Sequence, residues 1–200
     1  MHRQNISSLS DSVHWFVRIA AIAVYSNLTL SGAHAEAAAD ATPALLKYGD
    51  GKADGKKSYG GNGELIRFEL PDGVDRIRGI KIHGSRYGLA QAPKEDFEIT
   101  FLSEDLDEVL ATESVPYKLF KRGREMWVRV NFKEPIELPQ NFWIALNFNA
   151  HQTKGVYVSY DTSTKGEYSR VGLAGSENAP QPTDFGGDWM VQVLLSRPEK

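Results

Sequence analysis

The sequence predicts an all-β domain, an antiparallel two-sheet sandwich of jelly-roll kind, on three observations. Apolar and polar residues alternate in short runs, the period-2 mark of half-buried strands. Gly, Pro, Asn and Asp punctuate those runs, and no helical period lasts for three turns. Without helices alternating with strands, a parallel α/β sheet is disfavoured.

The runs follow in order. Ile66, Phe68 and Leu70 alternate with Arg67 and Glu69, and Ile80 and Ile82 flank Lys81. Phe97, Ile99 and Phe101 come next, then Val128, Val130 and Phe132, then Phe142, Ile144, Leu146 and Phe148. Val156, Val158 and Tyr160 form a sixth run, and Trp189, Val191, Val193 and Leu195 a seventh. Between them stand Asp50-Gly51, Asp54-Gly55, the Gly60 to Gly63 stretch, Pro71-Asp72-Gly73, Pro135, Pro139 and Gly186-Gly187. Gly supplies positive φ and Pro presets a turn, so these positions are expected to end strands.

Ahead of the strands, Arg3 and Arg18 precede the apolar run Ile19 to Val24 and a small-residue ending, Ala33-His34-Ala35. That pattern predicts an export signal over 1–35 cleaved after Ala35, with an uncleaved N-terminal anchor as the alternative, and a periplasmic, cell-surface or extracellular destination. The apolar run is too short for a stable transmembrane span, which takes about 20 residues. An Ala-rich linker over 36–43 then leads into a single sandwich domain over 44–197.

Charge and composition narrow the partners. With 23 basic and 26 acidic side chains the net charge is −3, and Lys118 to Arg124 is the densest basic run. No broad footprint for a phosphate backbone follows, so nucleic acid is disfavoured as a partner. The chain has no cysteine. Disulfides, thiolate metal sites and a cysteine nucleophile are thereby excluded.

Catalytic and metal motifs are weak. Asp50-Gly-Lys-Ala-Asp54-Gly55 suggests a calcium loop, but Lys52 and Gly61 occupy the third and twelfth positions where an EF-hand needs acids. A structural calcium held by Asp50, Asp54 and the distant Asp188 is the remaining cofactor expectation. A tight turn is the plainer reading. After the leader only His83 and His151 remain, without ligand spacing, and no G-x-S-x-G occurs. A triad drawn from Ser85 or Ser169 is open only in space. Glu95, Asp96, Asp161, Asp184 and Asp188 are candidate acids with no fixed separation.

Aromatic residues point more firmly to binding. Trp127, Trp143 and Tyr157 are each out of phase with the apolar set of their own run, which places three rings on faces opposite the main core. Such rings could stack on a sugar or a peptide; they could equally pack under loops. His83, at an expected strand end before Gly84-Ser85-Arg86-Tyr87-Gly88, and Arg86 are further ligand-contact candidates. The polar loop from Asp161 to Arg170 completes the set.

Several segments together resemble a known type of module. They are Asp50-Gly-Lys-Ala-Asp-Gly-Lys-Lys-Ser58, Ile82-His-Gly-Ser-Arg-Tyr-Gly88, Glu95-Asp-Phe97, Phe142-Trp-Ile144, Lys154-Gly-Val-Tyr-Val-Ser-Tyr-Asp161 and Asp188-Trp-Met190. Over about residues 45–196 the chain resembles an uncharacterised secreted bacterial β-sandwich module, which stands alone after a signal peptide or is appended to peptidase-like domains. That resemblance implies no activity and no site residues. A looser likeness to jelly-roll carbohydrate-binding modules rests on architecture alone. The functional expectation is a non-catalytic binding or accessory module at the cell envelope, with a glycan or an envelope protein as partner. The alternatives are a carboxylate-dependent hydrolase of envelope polymers and a purely structural envelope protein.

Overall fold

The seven alternating runs become the central strands of two antiparallel sheets. A computed structural model describes residues 44–60 and 63–196, so the expected signal and linker lie outside the described residues. The first sheet contains β1 (Leu45–Lys47), β2 (Gly55–Lys57), β4 (Arg76–Gly88), β7 (Met126–Glu137), β9 (Lys154–Asp161), β12 (Asp188–Trp189) and β13 (Val191–Leu195). The second contains β3 (Gly63–Glu69), β5 (Asp96–Leu102), β6 (Val109–Pro116), β8 (Asn141–Asn147), β10 (Ser169–Gly172) and β11 (Gln181–Pro182). The chain crosses repeatedly between the sheets, as in a jelly roll.

The in-phase residues of each run meet between the sheets. Ile66, Phe68, Ile80, Ile82, Phe97, Ile99, Phe101, Phe142, Ile144, Val156 and Val158 are all buried in one cluster. Each such side chain contributes about 1.5–3 kcal/mol on burial. The aromatic members interlock: Phe97 and Phe148 lie 4.7 Å apart between centroids, and Phe101 meets Phe132 edge-on at 5.6 Å.

One irregularity shapes the first sheet. β4 and β9 pair from Gly84 to Gly88 and then part. Into the fork runs the last segment, β12 along β9 and β13 along β4. Met190 is the vertex: its N–H donates to the Ser159 carbonyl (2.8 Å) and its carbonyl accepts from the His83 N–H (2.9 Å). The run from Trp189 to Leu195 is therefore two strands joined by a corner, with Trp189, Val191, Val193 and Leu195 buried on both sides of it.

Two expectations about strand ends are corrected. β4 continues through Gly88, so His83 sits mid-strand. Pro135 lies inside β7, where the pairing with β4 jumps from Asn131↔Gly79 to Ile136↔Ile77. Proline has no N–H to give a ladder, and this is a stretch where the ladder is already broken. The short strands β1, β2, β10 and β11, and the polar edge strand β6, carried no alternation to read.

Candidate ligand-binding face

On the outer side of the first sheet, register builds rows of side chains. Trp127 of β7 pairs directly with His83 of β4, and their rings lie 5.1 Å apart. Across the fork, His83 Nδ1 is 2.8 Å from the hydroxyl of the fully buried Ser159 on β9. Ser159 in turn pairs with Lys56 of β2. In the neighbouring row Ser85 of β4 pairs with Tyr157 of β9, and the Ser85 hydroxyl donates to Glu125 at 3.3 Å.

The rings are held at fixed angles. Tyr87 pairs with Gly155, and a Cβ at 155 would overlap the Tyr87 ring, so the glycine lets that ring lie across the strand. It rests against Tyr157 at 4.6 Å. The Lys56 ammonium stands 5.2 Å over the Tyr157 ring and forms an ion pair with Glu125. Trp127, His83, Tyr87 and Tyr157 are all half-buried, with one side supported and the other facing out.

Electrostatics keep the face in one protonation state. Burial lowers the His83 pKa below its usual value, against a smaller opposite pull from Glu125. The imidazole is therefore neutral near pH 7. Lys56 holds the Glu125 carboxyl below the usual carboxylate range. This pairing of rigid rings with fixed polar groups suits stacking and hydrogen bonding to an extended ligand.

Other expected site residues are placed elsewhere. Trp143 belongs to β8 in the second sheet, only 8% exposed, with its Nε1 donating to the Glu104 carbonyl at 2.9 Å. The three out-of-phase rings are thus divided between sheets, Trp127 and Tyr157 on the first and Trp143 on the second. The Arg86 guanidinium is buried and clamps the Leu89 and Ala90 carbonyls at 2.6 and 2.5 Å. Arg170 lies on β10, donating to the Ser169 carbonyl.

Asp161 ends β9 and organises a turn. It accepts from Gly51 N–H (3.0 Å), Ser163 N–H (2.9 Å) and the Ser163 hydroxyl (2.6 Å). Burial opposes its ionisation, but these donors outweigh burial and hold its pKa low. Gly49, at φ +75°, passes so close that any Cβ would strike the Asp161 carboxylate.

The residues expected to hold calcium are similarly engaged. Asp50 accepts Lys52 N–H at 2.8 Å, and Asp54 takes both the N–H (2.7 Å) and the hydroxyl (2.6 Å) of Thr162. Asp188 accepts Tyr168 N–H at 2.9 Å through one oxygen, while its other oxygen is buried without a partner. Among the described residues no three His, Asp or Glu side chains gather as a metal site.

Hydrolytic constellations find little support in the distances. Ser85 bonds Glu125 rather than a histidine, Ser169 accepts the Trp189 N–H inside the protein, and His151 faces Thr153. Glu95 pairs with Lys154 and Asp96 accepts from Ser114. Asp184 sits in a cleft of about 500 Å³ beside β10 and β11, bonded by Lys57 and Tyr59. No second acid is among the described lining residues of that cleft.

One unusual acid escaped the sequence reading. Glu64 of β3 is 1% exposed, accepts Tyr59 N–H at 3.2 Å, and is pushed up to about 8 by burial. A carboxyl neutral at pH 7 has the protonation of a general acid, but this one is sealed between the sheets. Its signal was present, because Glu64 is in phase with Ile66 and Phe68 on the core side. Tyr87 and Ser85 were also legible, by their phase with His83. Lys56 and Glu125 arrive from distant segments and left no mark in the sequence.

No helix among the described residues is long and apolar enough to cross a membrane. Compared with known proteins, the chain matches no protein-family model and no curated protein.

Proposed function

We propose that this protein is an exported, non-catalytic binding module that takes a glycan on the outer face of its first sheet. The observation that carries the reading is the group of supported, outward-facing rings: Trp127 against His83, and Tyr87 against Tyr157. A sugar's apolar face stacks on such rings, while Ser85, Glu125 and Lys56 supply donors and acceptors at their margin. A pyranose ring needs no conformational change in a face whose rings are already fixed, which lowers the ordering cost of binding. The leader pattern from Arg3 to Ala35 supports work outside the cytoplasm.

Affinity electrophoresis of the full chain through gels containing envelope and plant polysaccharides tests the reading. At least one glycan is expected to retard the protein, and Trp127→Ala and Tyr157→Ala to lose about tenfold or more in affinity, the equivalent of 1.4 kcal/mol. Retardation unaffected by either substitution would remove the face from consideration. No retardation by any glycan would remove the function.

A further inference from the structure

The same outer face carries a second row of side chains with a different chemistry. Arg129 of β7 pairs directly with Lys81 of β4, Lys81 with Gln192 of β13, and Gln192 with Lys47 of β1. Direct pairing puts all four on one side of the sheet. Their inward neighbours Val130, Ile80 and Val193 are buried in the core, and Leu46 packs against it, so this side faces out. At a strand spacing of about 4.8 Å, the row runs about 14 Å across the sheet.

Three features make the row unusual. Like charges directly opposite each other destabilise a sheet, yet Arg129 and Lys81 occupy such a pair. None of Arg129, Lys81 and Lys47 forms an ion pair among the described residues, although the chain as a whole is acidic. Arg129 is also oriented, its Nε donating to Asn131 Oδ1 at 2.6 Å, which leaves the Nη edge of the guanidinium to meet a carboxylate. One step along the strands lies the Trp127–His83 row, because Trp127 and His83 are two residues from Arg129 and Lys81.

We propose that the ligand is a polyanionic glycan, a chain of carboxylated sugars that lies across the strands with its carboxylates on Arg129, Lys81 and Lys47 and a sugar face on Trp127. This rests on the glycan-binding reading and adds to it the charge and direction of the ligand. The bound carboxylates offset the repulsion between Arg129 and Lys81, so the cations gain more from an anion than isolated surface charges would. Polyglutamate or duplex nucleic acid would satisfy the charges but offers no free ring face to Trp127, since one has no ring and the other keeps its bases stacked inside the helix.

Binding is measured for the full chain with polygalacturonate, with the same polymer fully methyl-esterified, and with polyglutamate. Polygalacturonate is expected to bind at least tenfold more tightly than either other polymer, and to weaken as salt rises. The double substitution Lys81→Gln, Arg129→Gln is expected to lose about tenfold toward polygalacturonate, with its thermal midpoint unchanged or raised because a like-charge pair has gone. Equal binding of the methyl ester would overturn the polyanion while leaving a neutral-glycan site intact. Equal binding of polyglutamate would reduce the row to unspecific charge attraction. Full binding by the folded double variant would take the row out of the site, and binding of no polymer would overturn this inference alone, the glycan reading standing or falling by the polysaccharide gels.

Discussion

On the outer side of the first sheet Trp127 stands half-buried beside His83; on the outer side of the second, Trp143 is roofed over. Both tryptophans are out of phase with the apolar set of their strand. The difference lies in what crosses above them. Over Trp143 the loop between β5 and β6 is closed by Ser103, whose hydroxyl donates to Asp105 and accepts Glu108 N–H; its Glu104 carbonyl takes the Trp143 Nε1–H, and its Leu106 packs against the cluster to which Trp143 belongs. Leu65, Leu102 and Trp143 form a small second core there. Above Trp127 the first sheet carries polar and cationic side chains with no comparable roof among the described residues. An off-phase aromatic therefore lies on the face opposite the main core, and the neighbouring loops decide whether it is roofed over or left half-exposed.

The largest expected effect separates these two tryptophans. Trp143→Ala should lower stability by about 3–5 kcal/mol, the usual cost of emptying a buried aromatic site, and Trp127→Ala by less than half as much. Urea denaturation of both variants measures this, and equal losses would erase the contrast between the faces.

A second test sharpens the role of burial through protons. The Glu64 carboxyl is pushed up to about 8 by burial, against an unfolded value near 4.3. The folded state then holds this proton more tightly than the unfolded state. Stability from this group is therefore greatest at low pH and falls as pH rises from about 4.3 through 8, with a slope of about 1.4 kcal/mol per pH unit inside that window. Glu64→Gln should flatten that fall, whereas a substitution on the open face, such as Lys81→Gln, should leave it in place. A pH–stability profile unchanged by Glu64→Gln would mean that burial does not set this carboxyl.

The smallest effect concerns calcium. A native-state ligand at 100 times its dissociation constant adds about 2.7 kcal/mol. Because Asp50, Asp54 and Asp161 already accept N–H and O–H donors, melting with calcium and with chelator should give the same midpoint. A clear rise with calcium would show that the turn opens to a cation after all.

Legibility in the sequence followed the range of the interaction. The alternation Val128-Arg129-Val130-Asn131-Phe132 was enough to identify a strand and to say that Trp127 opposes its core side, because successive side chains point to opposite faces. It was enough, too, for the all-β class and for the outward phase of His83 and Tyr157. Which sheet a strand joins is a matter of pairing between distant segments. Only the fold decided that Trp143 belongs with β3 and β5, away from Trp127.

The site followed the same division. Arg86 looked like a ligand contact and is instead a clamp on the Leu89 and Ala90 carbonyls, because the chain leaving β4 turns back beneath it. Lys56 and Glu125 reached the face through pairings no local pattern announces. The row Arg129–Lys81–Gln192–Lys47 joins four strands that are scattered along the chain and meet only in the sheet. By itself, then, the sequence determined strand, phase and core, which depend on side-chain alternation over a few residues. Tertiary structure alone decided neighbours, roofs and rows, because these depend on hydrogen bonds between residues tens of positions apart.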